Sequence, residues 1–356
     1  MTKLTLFGAG KIGEAIIHLL ARTGDYKLRV VDSDAHRLEL ITTPGVERIR
    51  ADISKDTELV KNVKGQDVVL SACPYYLTPA IAKAARVNGA HYLDLTEDVE
   101  STRVVAGLAK GAKKAFIPQC GLAPGFISIV ANDLAKRFDS LRDVYMRVGA
   151  LPIYPNNALK YNLTWSTDGL INEYCNPCLA IRDGGAIETL PLEEVESFSL
   201  DGIDYEAFNT SGGLGTLTET LAGKVENLNY KTVRYPGHRD IVKVLVRDLR
   251  LDRRRDLLKD VLEAAIPMTH QDVVLIFVSV TGEQEGRLKQ ESFAKKIYAQ
   301  EIDGRLFSAI QVTTAAGICA MVDLLVEGKL PQKGFVRQEQ APLDVFLGNR
   351  FGAYYA

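Results

Sequence analysis

Three glycines near the start of the chain have a spacing that suits the phosphates of a dinucleotide. They lie in Gly8-Ala-Gly-Lys-Ile-Gly13, which follows a short apolar strand and precedes a helical stretch. Gly8 permits a tight turn, Gly10 lets the backbone approach a pyrophosphate, and Gly13 lets the helix pack closely on the strand. The first helical N–H groups then point toward the phosphates. We therefore expect dinucleotide contacts from Gly8, Gly10, Lys11, Ile12 and Gly13.

An acidic residue ends the second predicted strand, where such proteins contact the adenosine ribose. Asp32 lies nineteen residues after Gly13, close to the usual spacing of ~20. Its carboxylate can accept hydrogen bonds from the ribose hydroxyls and would repel a 2′-phosphate. The pattern therefore predicts NAD as the cofactor, with Asp32 and Ser33 at the ribose. Arg37 lies nearby and leaves NADP as the less favoured alternative.

The elements around these groups alternate between strand and helix patterns. Strands are predicted over residues 3–7, 46–50, 67–71, 90–93 and 115–117, with another ending at Asp32. Helices are predicted over residues 11–21, 34–40, 55–61, 79–87 and 99–110. This alternation implies right-handed crossovers and a parallel sheet. We expect a doubly wound Rossmann α/β domain in residues 1–122.

Further cofactor contacts follow from this topology, because ligands bind at the carboxyl ends of parallel strands. Asp52 and Ile53 follow the third strand and are assigned to the edge and face of the adenine. Cys73 and Pro74 follow the fourth strand and are assigned to the nicotinamide ribose.

The pattern changes after Gly121-Leu-Ala-Pro-Gly125. Strands over 143–149, 273–281 and 292–302 favour antiparallel pairing, and the last two are expected to join through Gly282 and Gly286. Helices are predicted over 127–138, 166–174, 239–247, 254–265 and 308–325. We expect a second, substrate-binding α/β domain with a mixed or antiparallel sheet in residues 123–306, followed by a helix and tail in 307–356.

Composition limits the partners of this chain. Lys and Arg total 43 and Asp and Glu total 45, so the net charge is −2 and offers no basic surface for nucleic acid. No apolar run reaches the ~20 residues of a membrane span, and five cysteines in 356 residues form no disulfide framework. We expect a cytoplasmic protein that forms a homodimer or a higher homo-oligomer. The apolar helix over 308–325 and the tail over 346–356 suit a contact between subunits, but packing within one chain explains them equally well.

Several motifs resemble those of the saccharopine dehydrogenase-like superfamily, and most of all the short lysine 6-dehydrogenases within it. They are Gly8–Gly13, Cys73-Pro74-Tyr75, Tyr92-Leu-Asp94, Gly121–Gly125, Leu163-Thr-Trp-Ser166 with Asn176-Pro177, and Arg234-Tyr-Pro-Gly-His238. The resemblance implies a Rossmann domain, an α/β substrate domain, and a C-terminal helix that returns to pack on the first domain.

The resemblance also implies a small-molecule amino-acid substrate and NAD(P)-linked oxidation of its carbon that bears an amine. The expected reaction takes the ε-amine of L-lysine to allysine (2-aminoadipate 6-semialdehyde), which cyclises to piperideine carboxylate. Saccharopine dehydrogenases usually carry a helical insertion for which this chain is too short. The alternatives are a saccharopine dehydrogenase or carboxynorspermidine-type oxidoreductase and, in another class, a non-catalytic NAD-binding regulator.

Amine oxidation requires a neutral nitrogen, whereas a lysine ε-amine has a pKa near ~10.4. Asp94 is the predicted partner of the amine because it ends an apolar strand on the cofactor side, and Glu97 adds negative charge nearby. Alternatively, Asp94 caps the helix starting near Val99 or holds a turn, although Asp98 is the better placed cap. Tyr75 is expected near the nicotinamide.

His238 is the predicted proton carrier, since an unperturbed imidazole pKa of ~6.5 suits transfer near neutrality. A structural role is the alternative. Arg234, with Arg239 beyond the same turn, is expected to bind the substrate carboxylate. Trp165 is expected to wall the aliphatic chain, with core packing an equal alternative. No metal is expected, because Cys175-Asn-Pro-Cys178 lacks a second cysteine pair.

Overall fold

A computed structural model describes residues 1–356. Its strands are β1 (Thr2–Phe7), β2 (Tyr26–Asp32), β3 (Glu47–Arg50), β4 (Val68–Ser71), β5 (His91–Asp94), β6 (Ala115–Ile117), β7 (Ser140–Pro152), β8 (Cys178–Arg182), β9 (Gly185–Thr189), β10 (Glu196–Leu200), β11 (Ile203–Asn209), β12 (Val225–Arg234), β13 (Asp272–Gln284), β14 (Arg287–Tyr298), β15 (Gln300–Ile302), β16 (Arg305–Phe307) and β17 (Gly334–Phe335). Its helices are α1 (Lys11–Ala21), α2 (Ala35–Glu39), α3 (Asp56–Val63), α4 (Thr78–Asn88), α5 (Val99–Ala109), α6 (Phe126–Ala135), α7 (Thr167–Cys175), α8 (Leu217–Thr220), α9 (His238–Lys243), α10 (Arg255–Ala265), α11 (Ala309–Val326) and α12 (Leu343–Leu347).

The chain divides into two compact units. The first unit contains residues 1–126 and 313–356, and the second unit contains residues 127–312. The boundaries predicted from the sequence, after residues 122 and 306, lie a few residues before these divisions.

The first unit is built on a parallel sheet of order β17-β6-β5-β4-β1-β2-β3. Its central strands β1 and β4 are apolar on both faces, and Leu4, Leu6, Val69 and Leu70 are fully buried. Such runs are typical of parallel strands covered by helices on both sides. The strand order reverses between β1 and β4, so their carboxyl ends border the crevice that binds ligands in this topology. The predicted doubly wound α/β fold is confirmed.

The last residues of the chain complete the first unit. β17 pairs with β6, and Asp323 in α11 links the tail to β2. Its buried carboxylate accepts hydrogen bonds from the Tyr26 hydroxyl at 2.6 Å and the Asn349 amide at 2.8 Å. Arg350 donates to both carboxylate oxygens, at 3.0 and 2.7 Å. The expected packing of the C-terminal helix and tail on the first domain is confirmed.

α11 is long and apolar enough to cross a membrane by length and composition alone. Most of it is buried inside the protein, however. Such burial is typical of the core helix of a folded domain.

The second unit contains a mixed sheet of order β10-β11-β12-β7-β13-β14, in which β8 pairs with both β12 and β9. β12 and β7 run parallel and the other pairs run antiparallel, which confirms the predicted mixed sheet. The β13–β14 hairpin turns at Glu285 and Gly286, both with positive φ. The prediction that Gly282 belongs to this turn is wrong, because it pairs with Lys289 inside the hairpin.

Other elements of the second unit also differ from the prediction. Strands β8 to β12 were not predicted, and in β9 and β10 few side chains are buried, so the apolar alternation that marks a strand is weak. The helix predicted over 239–247 ends as α9 at Lys243 and continues as a π-helical segment, Val244–Asp248. The strand predicted over 292–302 ends at Tyr298, and β15 pairs separately with β16.

Candidate functional site

The glycine loop between β1 and α1 has no room for a side chain at two of its glycines. Gly8 has a φ of +98°, and a Cβ there would lie 2.7 Å from the Ala72 carbonyl oxygen. A Cβ on Gly13 would overlap the Gly8 carbonyl oxygen. No side chain caps α1 at its N-cap, Gly10. The loop therefore lies against the chain leaving β4, as the phosphate-binding loop of a dinucleotide site does.

Asp32 holds this loop in place from the end of β2. Its Oδ2 accepts a hydrogen bond from the Ala9 N–H at 2.7 Å, and its Oδ1 accepts one from the Asp34 N–H at 2.9 Å. The side chain is only partly buried. Asp32 therefore shapes the glycine loop, and the contact of Asp32 and Ser33 with the adenosine ribose remains a prediction.

Two guanidinium groups lie near the same strand end. Arg37 Nη1 is 3.6 Å from the position that a Cβ on Gly10 would occupy. Arg50 Nε donates to the carbonyl oxygen of the exposed Ser33 at 3.3 Å. The end of β2 therefore has one carboxylate and two guanidinium cations close together.

The remaining cofactor predictions have mixed outcomes. Asp52 is exposed after β3, and hydrogen bonds from the Ser54 side chain and backbone lower its pKa. Ile53 packs in the apolar core with 9% of its surface exposed, so the broad face predicted to cover adenine is not available. Burial and the Asp32 carboxylate raise the pKa of the Cys73 thiol to about 12, so Cys73 is an uncharged group beside the glycine loop.

The residues of the first unit fit a nicotinamide dinucleotide, because the backbone at Gly8 and Gly13 forms a loop that side chains would obstruct. Lys11 and Ile12 lie in the first turn of α1. Their contact with the phosphates remains a prediction, as do the contacts of Asp52, Cys73 and Pro74.

Asp94 ends β5 and is completely buried. Its Oδ1 accepts hydrogen bonds from the N–H groups of Thr96 at 3.0 Å and Gln119 at 2.9 Å, whereas its Oδ2 has no partner. Burial raises the pKa of this carboxyl to about 6. Asp98 caps α5 through the Ser101 N–H at 2.7 Å. The capping alternative for Asp94 is therefore excluded, whereas its bond to Thr96 shows that it does hold a turn.

Tyr75 and Asp94 lie near the carboxyl ends of two adjacent strands. β4 and β5 pair side by side with Ser71 opposite Asp94, and Tyr75 begins a 3₁₀ turn just after Pro74. The Ser101 hydroxyl donates to the Tyr75 carbonyl oxygen at 3.2 Å and so links this turn to α5. Tyr75 and Glu97 are both half-buried. Their contact with a ligand remains a prediction.

A chain of hydrogen bonds in the second unit begins at the buried Arg234. Its Nε donates to the Tyr174 hydroxyl at 3.0 Å, and its Nη1 donates to the Val233 carbonyl oxygen at 2.9 Å. His238 Nδ1 lies 2.8 Å from the Leu159 carbonyl oxygen. Because that oxygen only accepts, Nδ1 carries the proton. His238 Nε2 then accepts from the Tyr174 hydroxyl at 3.0 Å.

His238 therefore has a different role from the one predicted. Burial, and then the Arg234 charge, lower its pKa to about 3, so the imidazole is neutral at physiological pH and both nitrogens are engaged. The prediction that it titrates near neutrality is wrong. In this structure His238 positions Tyr174, and Tyr174 in turn positions Arg234.

Two further predicted residues are also placed. Trp165 is half-buried at the edge of the apolar core of the second unit. This position suits both core packing and contact with the aliphatic chain of a substrate. Arg239 Nε donates to the Leu192 carbonyl oxygen at 2.8 Å, and its other nitrogens pair with Glu193 and Asp240. The guanidinium of Arg239 is therefore already occupied by groups of the protein. Of the two arginines predicted to bind a carboxylate, Arg234 is the one that lies in the buried cluster.

The sequence of this chain matches two known domain families. Residues 4–115 match the saccharopine dehydrogenase NADP binding domain, and residues 121–348 match the saccharopine dehydrogenase C-terminal domain. The chain belongs to the saccharopine dehydrogenase family.

Curated relatives in this family are longer. Saccharopine dehydrogenase (NADP(+), L-glutamate-forming) of Saccharomyces cerevisiae is 25% identical over 261 residues, which cover 68% of this chain and 56% of the yeast protein. The mitochondrial alpha-aminoadipic semialdehyde synthase of Bos taurus is 21% identical over 316 residues, covering 83% and 33%. The chain thus spans between a third and about half of the length of these relatives. The apo yeast saccharopine dehydrogenase structure (L-Glu forming) has a TM-score of 0.74 at 17% identity, covering 95% of this chain and 94% of that chain, and shows a shared fold.

Four buried residues near Arg234 in this saccharopine dehydrogenase family member were not predicted from the sequence. They are Tyr161, Thr164, Glu173 and Tyr174. The only signal for them was position: Thr164 lies inside the motif Leu163–Ser166, and the next two precede Asn176-Pro177 on α7. Nothing in the local sequence shows that α7 faces β12.

Proposed function

We propose that this protein is a nicotinamide-dependent dehydrogenase that oxidises the ε-carbon of L-lysine to allysine. The observation that carries the choice of lysine is the single arginine, Arg234, in the buried cluster of the second unit. One guanidinium matches the one carboxylate of lysine, whereas saccharopine has several carboxylates to satisfy. Arg239, the other candidate, is occupied by Glu193 and Asp240. The names of the yeast and bovine relatives, a saccharopine dehydrogenase and an alpha-aminoadipic semialdehyde synthase, support an amino-acid substrate.

The chemistry requires the ε-amine of the substrate to be neutral, so the protein must provide a group that accepts its proton. A nicotinamide dinucleotide held at the glycine loop of residues 8–13 would supply the hydride acceptor for the ε-carbon. Asp94 is ionised above pH 6, because its pKa is about 6, and its unpartnered Oδ2 is able to accept a proton. We assign Asp94 to the substrate amine, Tyr75 to the neighbourhood of the reacting carbon, and Arg234 to the substrate carboxylate. Water then hydrolyses the iminium product to the aldehyde, and ammonia is released.

We further propose NAD as the preferred cofactor, because the Asp32 carboxylate would repel a 2′-phosphate. NADP is the second candidate. Arg37 and Arg50 near the same strand end favour it, and so do the match to an NADP binding domain and the NADP(+) in the name of the yeast relative.

The proposed reaction is tested by following absorbance at 340 nm with the purified chain. Lysine, saccharopine and carboxynorspermidine are each supplied with NAD and with NADP, and we expect turnover with lysine that rises toward pH 9–10, roughly where the free amine accumulates. Turnover of saccharopine but not lysine would replace the proposed substrate. Cofactor binding without turnover of any amine would favour the regulator. Failure of both dinucleotides to bind would overturn the proposal.

The cofactor preference is tested by Asp32→Ala. This variant loses the hydrogen bond to the Ala9 N–H, so the affinity for both dinucleotides should fall. The ratio of kcat/KM for NAD to that for NADP isolates the effect at the ribose, and we expect this ratio to fall by about tenfold or more, the size of one lost charge-assisted interaction. An unchanged ratio would show that Asp32 supports the loop only.

A further inference from the structure

The two segments that the sequence offers for a contact between subunits are packed within the chain. Most of α11 is buried, and the tail side chains Phe346, Phe351 and Tyr355 are at most 3% exposed. A contact with a second copy therefore needs another surface. The mixed sheet of the second unit offers one at its outer edge.

That edge is formed by β14, which has a second strand on one side only. β14 is the last strand in the order of the sheet, and its twelve residues pair with β13 without a bulge. It contains no proline. An edge strand of this kind presents a row of backbone N–H and C=O groups to which another strand is able to bind. The strand at the opposite edge, β10, has only five residues.

The charges on one face of β14 are incomplete within a single chain. Glu291 pairs with Arg137 at 2.8 Å, and Arg137 pairs with Asp133 at 2.7 Å. This group contains two carboxylates and one guanidinium, so one further cation would balance it. Lys295 lies on the same face, is half-buried and forms no ion pair in the chain. It is four residues from Glu291, about 14 Å along the strand, and is too far away to supply that cation itself.

A two-fold axis through Phe293, normal to the sheet, would bring the missing cation into place. Such an axis runs a second β14 antiparallel to the first and keeps each face of the strand on the same side. Glu291 then lies opposite the partner's Lys295, and symmetry repeats this pair. On the other face, Leu288 lies opposite the partner's Tyr298; these side chains are 62% and 50% exposed in the single chain. Opposite charges and apolar pairs both stabilise antiparallel strands.

Neighbouring registers of the same pairing are less favourable. An axis through Ser292 would place Lys289 opposite the partner's Lys295, and like charges directly opposite each other are destabilising. An axis through Ala294 would place Glu291 opposite an apolar side chain. Charged side chains on an edge strand oppose unwanted pairing, and those of β14 favour a single register.

We propose that the outer edge of β14 binds the same edge of a second copy of this chain, about a two-fold axis through Phe293. The two mixed sheets then become one continuous sheet. The partner's Lys295 extends the row formed by Asp133, Arg137 and Glu291, so that negative and positive charges alternate. The contact uses only the second unit and is independent of the proposed reaction.

Exchange of the two charges tests both the contact and its register. Sedimentation velocity of the full chain should show a dimer, and Glu291→Lys and Lys295→Glu should each raise its dissociation constant about tenfold or more, because each variant places like charges opposite each other twice. An equimolar mixture of the two variants should form a heterodimer, since every such pair again joins a lysine to a glutamate. Lys224→Glu makes the same change of charge at an exposed lysine outside β14 and should dimerise normally.

Cysteine cross-linking tests the register without changing a charge. Ser292 and Ala294 are both exposed, and each would lie opposite the other residue of the partner, with about 5 Å between the Cβ atoms. Oxidation of a mixture of Ser292→Cys and Ala294→Cys should therefore give a covalent dimer on a non-reducing gel. Gln290→Cys alone is the matched control, because its two copies would lie six residues apart along the strands.

Three results would overturn the proposal. The first is a wild-type chain that remains a monomer at every concentration. The second is an unaltered dimer affinity in both charge variants, which would place the dimer contact on another surface. The third is a mixture of the two charge variants that dimerises no better than either alone. Loss of the dimer in each variant and its return in the mixture, whatever the activity toward lysine, would support the β14 contact.

Discussion

Replacing Asp94 with asparagine is expected to lower turnover about a hundredfold or more, the range found for loss of a positioned acid–base group. Dinucleotide affinity should stay the same. An asparagine oxygen still accepts the N–H groups of Thr96 and Gln119, so the local fold is preserved. What the variant loses is the carboxylate on the Oδ2 side, which has no partner in the structure. Full activity in this variant would return Asp94 to a structural role.

The pH dependence gives this prediction a distinctive signature. The pKa of Asp94 is raised to about 6 by burial, so the wild-type rate should increase as pH rises through about 6 and the carboxyl ionises. Asp94→Asn should lack this acidic limb and keep the alkaline increase that comes from the substrate amine. Rate profiles between pH 5 and 10 test it.

Stability should respond in a definite direction. A carboxyl whose pKa is raised on folding favours the folded state below its unfolded pKa, and this advantage is lost as pH rises through about 6. Asp94→Asn should therefore melt at the same or a higher temperature than wild type at pH 8. Asp98→Asn is the matched control for turnover. Asparagine is also a good N-cap, so this variant should keep its fold and its turnover.

Gly13→Ala is expected to impair dinucleotide binding severely. The added methyl group would overlap the Gly8 carbonyl oxygen and lie 2.9 Å from the Gly8 carbonyl carbon, so the phosphate loop must shift away from α1. Overpacking of this kind costs on the order of 1–3 kcal/mol, which corresponds to roughly tenfold to hundredfold in Kd. Titration of NAD and NADP by calorimetry measures it.

The chain offers a matched helical glycine for comparison. Gly107 in α5 is exposed, and a Cβ there would meet nothing within 4 Å. Gly107→Ala should therefore bind dinucleotides normally and stabilise the fold by about 1 kcal/mol through helix propensity. Equal dinucleotide affinities for the two alanine variants would contradict the assignment of the glycine loop.

The parts of the fold that the sequence predicted well are those specified by neighbours along the chain. The strand-to-helix turn at Gly8–Gly13 and the six strands before residue 118 follow from local apolar runs and glycine spacing. The pairing of β12 with β7 was not predictable in this way. It joins residues such as Asn229 and Tyr145, and its strand signal is diluted by polar side chains.

The candidate site shows the same division. Asp94 was recognisable as the end of an apolar strand, but its complete burial depends in part on the backbone of Gln119, which adopts a positive φ of 65°. His238 was recognisable as a histidine in a turn, yet its partner Tyr174 lies 64 residues earlier in the chain. Residue type identified these groups, whereas their charge states come from packing that joins distant segments.

The first unit is built from two segments that lie far apart in the chain, so its parts are translated at different times. Its glycine loop leaves the ribosome early, but β17 and the Asp323–Arg350 ion pair come from the far end of the chain. The second unit is translated in full between these parts. A nascent chain therefore holds an incomplete nucleotide-binding sheet until the segment with β17 has been made, and the second unit is able to mature before the first.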